Sequence, residues 1–246
     1  MTTSEIKLAC ENNGGNGSSG EIFFADLFET YVTQSGPRRC LPKFDALFRE
    51  VPATVGVADF IGVVAPRWRY TQQRLEKRLQ GLPRAPVAEI LSQLGYSRRV
   101  PREALIENSH YTQRVVSMAL SGLLKADVIT NAVDRGYAIK PTFKLPQAEI
   151  HFYEIKLDKW RRALFQATQA QSYADKVYCV MPAGNKRQVL LDNRELFRRA
   201  GVGVILFEPS QWKLVELVPG RKAKPKRPSN KLDVLIRLAG IKNLLS

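Results

Sequence analysis

Apolar positions along the chain alternate between helical and strand spacing. Between about 21 and 34, Phe24, Leu27, Phe28 and Tyr31 recur every three or four residues, which predicts an amphipathic helix. Ser19 stands where it would cap that helix. Upstream, Asn12 to Gly20 is almost wholly Asn, Gly and Ser, so a disordered N-terminus is expected over 1–20. The β-branched run at 54–64 predicts a buried strand. Four helical stretches follow at about 67–80, 86–95, 101–108 and 111–124, and then two short apolar runs around a polar turn at 127–139. A clear strand at 148–157 leads into a helix at 159–174, a strand at 177–181, a helix at 192–200 and strands at 202–207 and 212–217. Strand, helix, strand, helix, strand is the order of an α/β sheet. Pro219 to Asn230 reads as a Lys/Pro-rich linker, and 231–246 as a short helix with an apolar face.

Charge divides the same chain differently. Of its 246 residues, 38 are Lys or Arg and 23 are Asp or Glu, a net charge of +15. Residues 66–145 hold 14 basic against 6 acidic side chains, and 219–246 hold 8 against 1; the rest is neutral. Two basic modules around a neutral core point to a polyanionic partner, most simply nucleic acid. No apolar run reaches the roughly 18–20 residues of a membrane span, so no membrane partner is expected. Three scattered cysteines (Cys10, Cys40 and Cys179) and two histidines offer no zinc spacing and fit a reduced, cytoplasmic setting, at the nucleoid if the source is bacterial.

Candidate chemistry lies at the ends of two strands. Glu154 and Lys156, two residues apart, project to one face at the end of a run that otherwise reads as sheet interior. A buried carboxylate and ammonium are costly unless they pair or bind a metal. Asp59 is the same anomaly in the preceding strand. Two carboxylates and a backbone carbonyl, that of Ile155, would offer hard oxygens to Mg²⁺ or Mn²⁺, with the lysine adding positive charge beside a nucleophile. His151 and the three tryptophans read as packing residues.

Asp59 followed by Glu154-Ile155-Lys156 resembles the PD-(D/E)XK, restriction-endonuclease-like nuclease superfamily, with Ala58 where a proline is often found. Gln169-x-x-x-Tyr173 in the following helix is similar to a pattern of several of its families, with Gln166 as a fallback. The three helices and hairpin at 80–140 resemble a winged helix. The resemblance implies an α/β fold: a restriction-endonuclease-like mixed sheet flanked by helices, interrupted by an inserted winged-helix domain. Its parts would be 21–65 and 146–218 for the nuclease domain, 66–145 for the insertion, and 219–246 for the basic linker and helix. It further implies Asp59, Glu154, Lys156 and Gln169 as catalytic residues, and Asp59, Glu154, the Ile155 carbonyl and a first-helix acid as metal ligands. Glu29 is the expected acid, sharing its face with Asp26, while Glu21 competes. Double-stranded DNA would be the partner, met by Tyr111, Thr112, Gln113, Arg114, Ser117 and the hairpin's Arg135. A metal-dependent DNA nuclease in restriction, defence, mobile-element or repair processes is thus expected. The alternatives are an inactive DNA-binding protein on the same scaffold and an RNA-processing nuclease. Cutting both strands would call for a homodimer, with the helix at 231–246 as a contact.

Overall fold

A six-stranded mixed sheet organises the larger part of the computed structural model, which describes residues 17–34, 41–53, 56–95, 99–132, 136–184 and 187–245. Its strands are β1 (Ala46–Pro52), β2 (Val57–Val64), β5 (Glu149–Ile155), β6 (Lys176–Pro182), β7 (Gly203–Glu208) and β8 (Lys213–Val218), adjacent in that order. Strand β2 pairs antiparallel with β1 and with β5; β5, β6 and β7 are parallel, and β8 closes the edge antiparallel. The parallel part needs crossovers, and helix α6 (Trp160–Ala170) supplies the one between β5 and β6. Period-two alternation decides which side each residue of β5 serves. Tyr153 and Ile155 face the helix α1 (Gly17–Gln34), in a core with Phe24, Phe28, Phe60 and Phe207. Phe152 faces the other layer, where its ring meets Tyr173.

The chain divides into two compact units. The sheet unit comprises Met1–Val64, Glu149–Lys224 and Asn243–Ser246. The second comprises Ala65–Ala148 and Pro225–Lys242. It holds the helices α2 (Trp68–Leu79), α3 (Arg84–Leu94), α4 (Arg102–Glu107) and α5 (Gln113–Lys125), then the hairpin β3 (Ile129–Ala132) and β4 (Gly136–Ile139). Val100 forms an isolated bridge to Tyr137 of β4. Leu75, Val87, Leu91, Leu105, Val116 and Leu123 form its core.

Several expectations need correction. The first helix begins at Gly17, so Ser19 lies inside it rather than capping it. Strand β1 was not expected, and neither was the helix α7 (Arg187–Asp192) before α8 (Arg194–Ala200). The last helix, α9, runs Pro228–Ala239, and its Leu232, Ile236 and Ala239 belong to the core of the second unit. That apolar face is therefore covered within the chain. The expected disordered stretch falls largely outside the described residues, as do Cys10, Cys40 and Arg135. Among the described residues no helix is long and apolar enough to cross a membrane.

Gly62 in the middle of β2 is a close-approach position: a Cβ there would run into the Phe44 ring. That ring is fixed edge-on against His151 and Tyr153 and has little room to retreat. Gly62→Ala is expected to destabilise the sheet unit by about 1–3 kcal/mol in urea unfolding; an unchanged midpoint would mean that Phe44 re-packs freely.

Candidate active site

Asp59, Glu154 and Lys156 meet at the end of the β2–β5 ladder. The last paired rung is Phe60 with Tyr153, which puts Asp59 and Glu154 one place beyond it, on the face opposite the aromatic core. The Asp59 Oδ2 accepts the backbone N–H of Ile155 at 2.7 Å, which ties the two strand ends together. Lys156 Nζ then sits among four oxygens. It donates to Glu21 Oε1 at 2.6 Å and to its neighbour's carbonyl, Ile155 O, at 2.8 Å. Glu154 Oε1 lies at 3.0 Å and Asp59 Oδ2 at 3.7 Å. This is an oxygen cage holding a cation.

Burial sharpens the arrangement. Glu154 is 1% exposed, and neither of its carboxylate oxygens has a hydrogen-bond partner; its contact with Lys156 is an ion pair without hydrogen-bond alignment. Burial, followed by the charge of Asp59, pushes its carboxyl up to about 7, against the pull of Lys156. Asp59 is also raised, by burial first, although the Ile155 N–H opposes this. Burial works against the ammonium of Lys156, but the bond to Glu21 and the fields of Asp59 and Glu154 outweigh it, so its pKa is raised. Nearby Cys179 is fully buried, and burial pushes its thiol well above its ordinary value. It is an inert packing residue.

The first-helix acid at the site is Glu21, not Glu29. Glu29 and Asp26 both bind Arg49 Nη1, at 2.9 and 2.5 Å, on the edge strand β1. Glu29 lies two helical turns after Glu21, and Arg49 holds it there. A shallow cleft of about 200 Å³ beside the site is lined by Glu21, Ile22, Arg49, Glu50, Asp59 and Ile155. Glu50 in its wall has a left-handed backbone (φ 50), a strained conformation for a residue with a side chain.

Gln169 and Tyr173 do not share one helical face, because α6 ends at Ala170 and Tyr173 follows in a turn. The helix runs back along β5 from the end that carries Lys156. Gln166 Oε1 and Tyr173 Oη are both buried without a hydrogen-bond partner, and Tyr173 feels the charge of Glu154. Gln166, the fallback, is thus the glutamine of this helix with a buried, unpartnered side-chain oxygen.

The oxygens here are of the kind that could hold a divalent ion. Glu154 presents two buried oxygens without a hydrogen-bond partner, one of them ion-paired with Lys156, Asp59 a carboxylate, and Ile155 a carbonyl that already accepts from a cation. Among the described residues no three acidic, His or Cys side chains are gathered as a ready-made metal group, because the Lys156 ammonium stands between the carboxylates.

In the second unit, Thr112, Gln113 and Arg114 are exposed at the start of α5. Ser117 is half-buried and engaged twice, donating to Gln113 O and accepting from Arg102 Nη2, each at 2.7 Å. Arg102, exposed at the start of α4, joins this surface and had no periodic signal in the sequence. Tyr111, just before Thr112, is half-buried and packs against the core. His151 is buried, bonded to Glu149 at 2.8 Å and set among the rings of Phe44, Tyr153 and Tyr178. No family model, curated protein or solved structure matches the chain.

Proposed function

We propose that the chain is a metal-dependent nuclease of the PD-(D/E)XK type that cuts DNA. The observation that carries this reading is the oxygen cage at the strand ends, in which Asp59, Glu154, Glu21 and the Ile155 carbonyl surround Lys156. Mg²⁺ or Mn²⁺, when bound, supplies Lewis acidity and positive charge for phosphodiester hydrolysis. Asp59, Glu154 and the Ile155 carbonyl would hold that ion. The Ile155 N–H keeps Asp59 oriented for the task. Glu21 restrains Lys156 while leaving its positive charge available to a phosphate oxygen, a role in transition-state stabilisation.

The second unit supports a DNA substrate. Helix, short strand at Val100, helix, helix and two-stranded hairpin is the order of a winged helix. The start of α5 would enter the major groove with Thr112, Gln113 and Arg114, joined by Arg102 from α4. The excess of basic residues in this stretch and the tail would hold phosphates.

Plasmid nicking with Mg²⁺ or Mn²⁺ tests the proposal. Metal-dependent cleavage is expected from the wild type, Glu21→Gln is expected to slow it about tenfold or more, and Glu29→Gln is expected to leave it within about threefold. Binding of duplex DNA with no cleavage under either metal would leave the DNA-binding reading and remove the enzyme. Preference for structured RNA over duplex DNA would transfer the same chemistry to RNA.

A further inference from the structure

A basic groove runs along the exposed side of α2 in the second unit. Two adjoining clefts of about 320 and 660 Å³ share Tyr70, Arg74 and Thr142 in their walls. Arg67, Lys77 and Lys144 line them as well, and among the described residues none of these three, nor Arg74, is ion-paired with a carboxylate. The single acid in the walls, Asp127, is already paired with Arg78 and Lys140. The positive charge of the groove is therefore uncompensated.

An aromatic ring stands in the middle of that charge. Tyr70 is 63% exposed, unusual for a large ring that could pack. Arg74 lies over it, 5.5 Å from the ring centre, and is anchored from the other side by Phe143 at 5.7 Å and by a 2.7 Å bond to Lys144 O. The ring is thus held in place, with its exposed area open to solvent. At the mouth, Arg67 adopts a left-handed backbone (φ 64), a conformation uncommon for a long side chain.

The groove is also distinct from the surface assigned to duplex DNA. Arg78, in the last turn of α2, binds the carbonyl of Ala126 just past the end of α5. Thr112 to Arg114 lie at the other end of α5, a helix of 13 residues, or about 20 Å.

We propose that this groove binds a single strand of nucleic acid, with a base stacked on Tyr70 and the backbone phosphates along Arg67, Arg74, Lys77 and Lys144. A duplex keeps its bases stacked on each other and has no face to offer Tyr70, whereas an unpaired strand does. Fixed cations beside an exposed ring form a stacking platform within an electrostatic funnel. The proposal extends nucleic-acid binding to a second surface and does not depend on cleavage.

Anisotropy of labelled oligothymidylate and of a short duplex, measured on the full chain in EDTA, tests it. Tyr70→Ala is expected to weaken oligothymidylate binding about tenfold or more and to leave duplex binding within about twofold. Tyr70→Phe should retain the strand affinity. Lys77→Ala should lower the salt dependence of strand binding by about 0.7 in log–log slope. Arg114→Ala should weaken the duplex alone. Unchanged oligothymidylate affinity in Tyr70→Ala, with an unchanged thermal melt, overturns the proposal. So does an equal loss for strand and duplex, which would make the groove part of the duplex surface. Absence of cleavage with these binding results intact would remove only the nuclease reading.

Discussion

Lys156→Ala is expected to slow metal-dependent cleavage by roughly three orders of magnitude or more and to destabilise the protein in the absence of metal. Its ammonium sits among Glu21, Asp59, Glu154 and the Ile155 carbonyl, all within 2.6–3.7 Å. Removing it leaves three carboxylates facing one another, with Glu154 buried. Breaking a buried pair in this way costs about 3–5 kcal/mol. Glu154 can escape part of that cost by taking up a proton, because its carboxyl already sits at about 7. The destabilisation should therefore be largest near pH 8 and shrink towards pH 5. Adding Glu154→Gln removes the buried charge, so the double variant should regain most of the stability and none of the cleavage. Urea unfolding and initial nicking rates on the same preparations separate the two effects. A Lys156→Ala protein that cuts at the wild-type rate would place the chemistry elsewhere.

The centre of this site was legible because its chemistry contradicts its surroundings. Asp59 and Glu154 are acids inside runs of β-branched and aromatic residues, and alternation puts Glu154 and Lys156 on one side whatever the tertiary fold. Glu21 was not legible in the same way. Glu21, Asp26 and Glu29 all stand on one helix, and the choice among them depends on Arg49, a residue of a strand that the pattern does not reveal. That strand, β1, carries Arg49-Glu50 in its middle and interrupts its alternation with a left-handed residue at Glu50, so it has no clean period. Gln169 was favoured because four-residue spacing implies a shared helical face, yet α6 stops at Ala170. That Gln166 carries a buried, unpartnered oxygen depends on how the helix packs, which the spacing alone does not state. The tail helix followed the same rule: its apolar face was visible, but its partner, the core of the second unit, was not.

Without metal, the wild type is expected to lose about 3 kcal/mol of stability, relative to Glu154→Gln, as pH rises from about 4.5 to above 7. The folded carboxyl of Glu154 sits at about 7 against an ordinary 4.5, so between these values the folded protein holds a proton that the unfolded chain has released. Stability falls with pH wherever the folded state binds more protons, and each pKa unit is worth about 1.4 kcal/mol. The loss begins near the unfolded value and is complete once pH passes the folded one. Asp59, also raised, acts in the same direction in both proteins and cancels in the comparison. His151 acts the opposite way: burial lowers its pKa below 6.5, so the fold gains stability as pH rises towards that value. Comparing wild type with Glu154→Gln cancels His151 and isolates the carboxylate. Mg²⁺ should reverse the trend, because it favours the ionised form and stabilises the folded state by mass action. Thermal melts from pH 5 to pH 8, with and without Mg²⁺, give the comparison. Parallel pH curves for the two proteins would mean that Glu154 is ionised throughout and that Lys156 alone satisfies it. A wild-type curve that falls relative to that of Glu154→Gln in EDTA, with the difference removed in Mg²⁺, would identify Glu154 as the group that exchanges a proton for the metal.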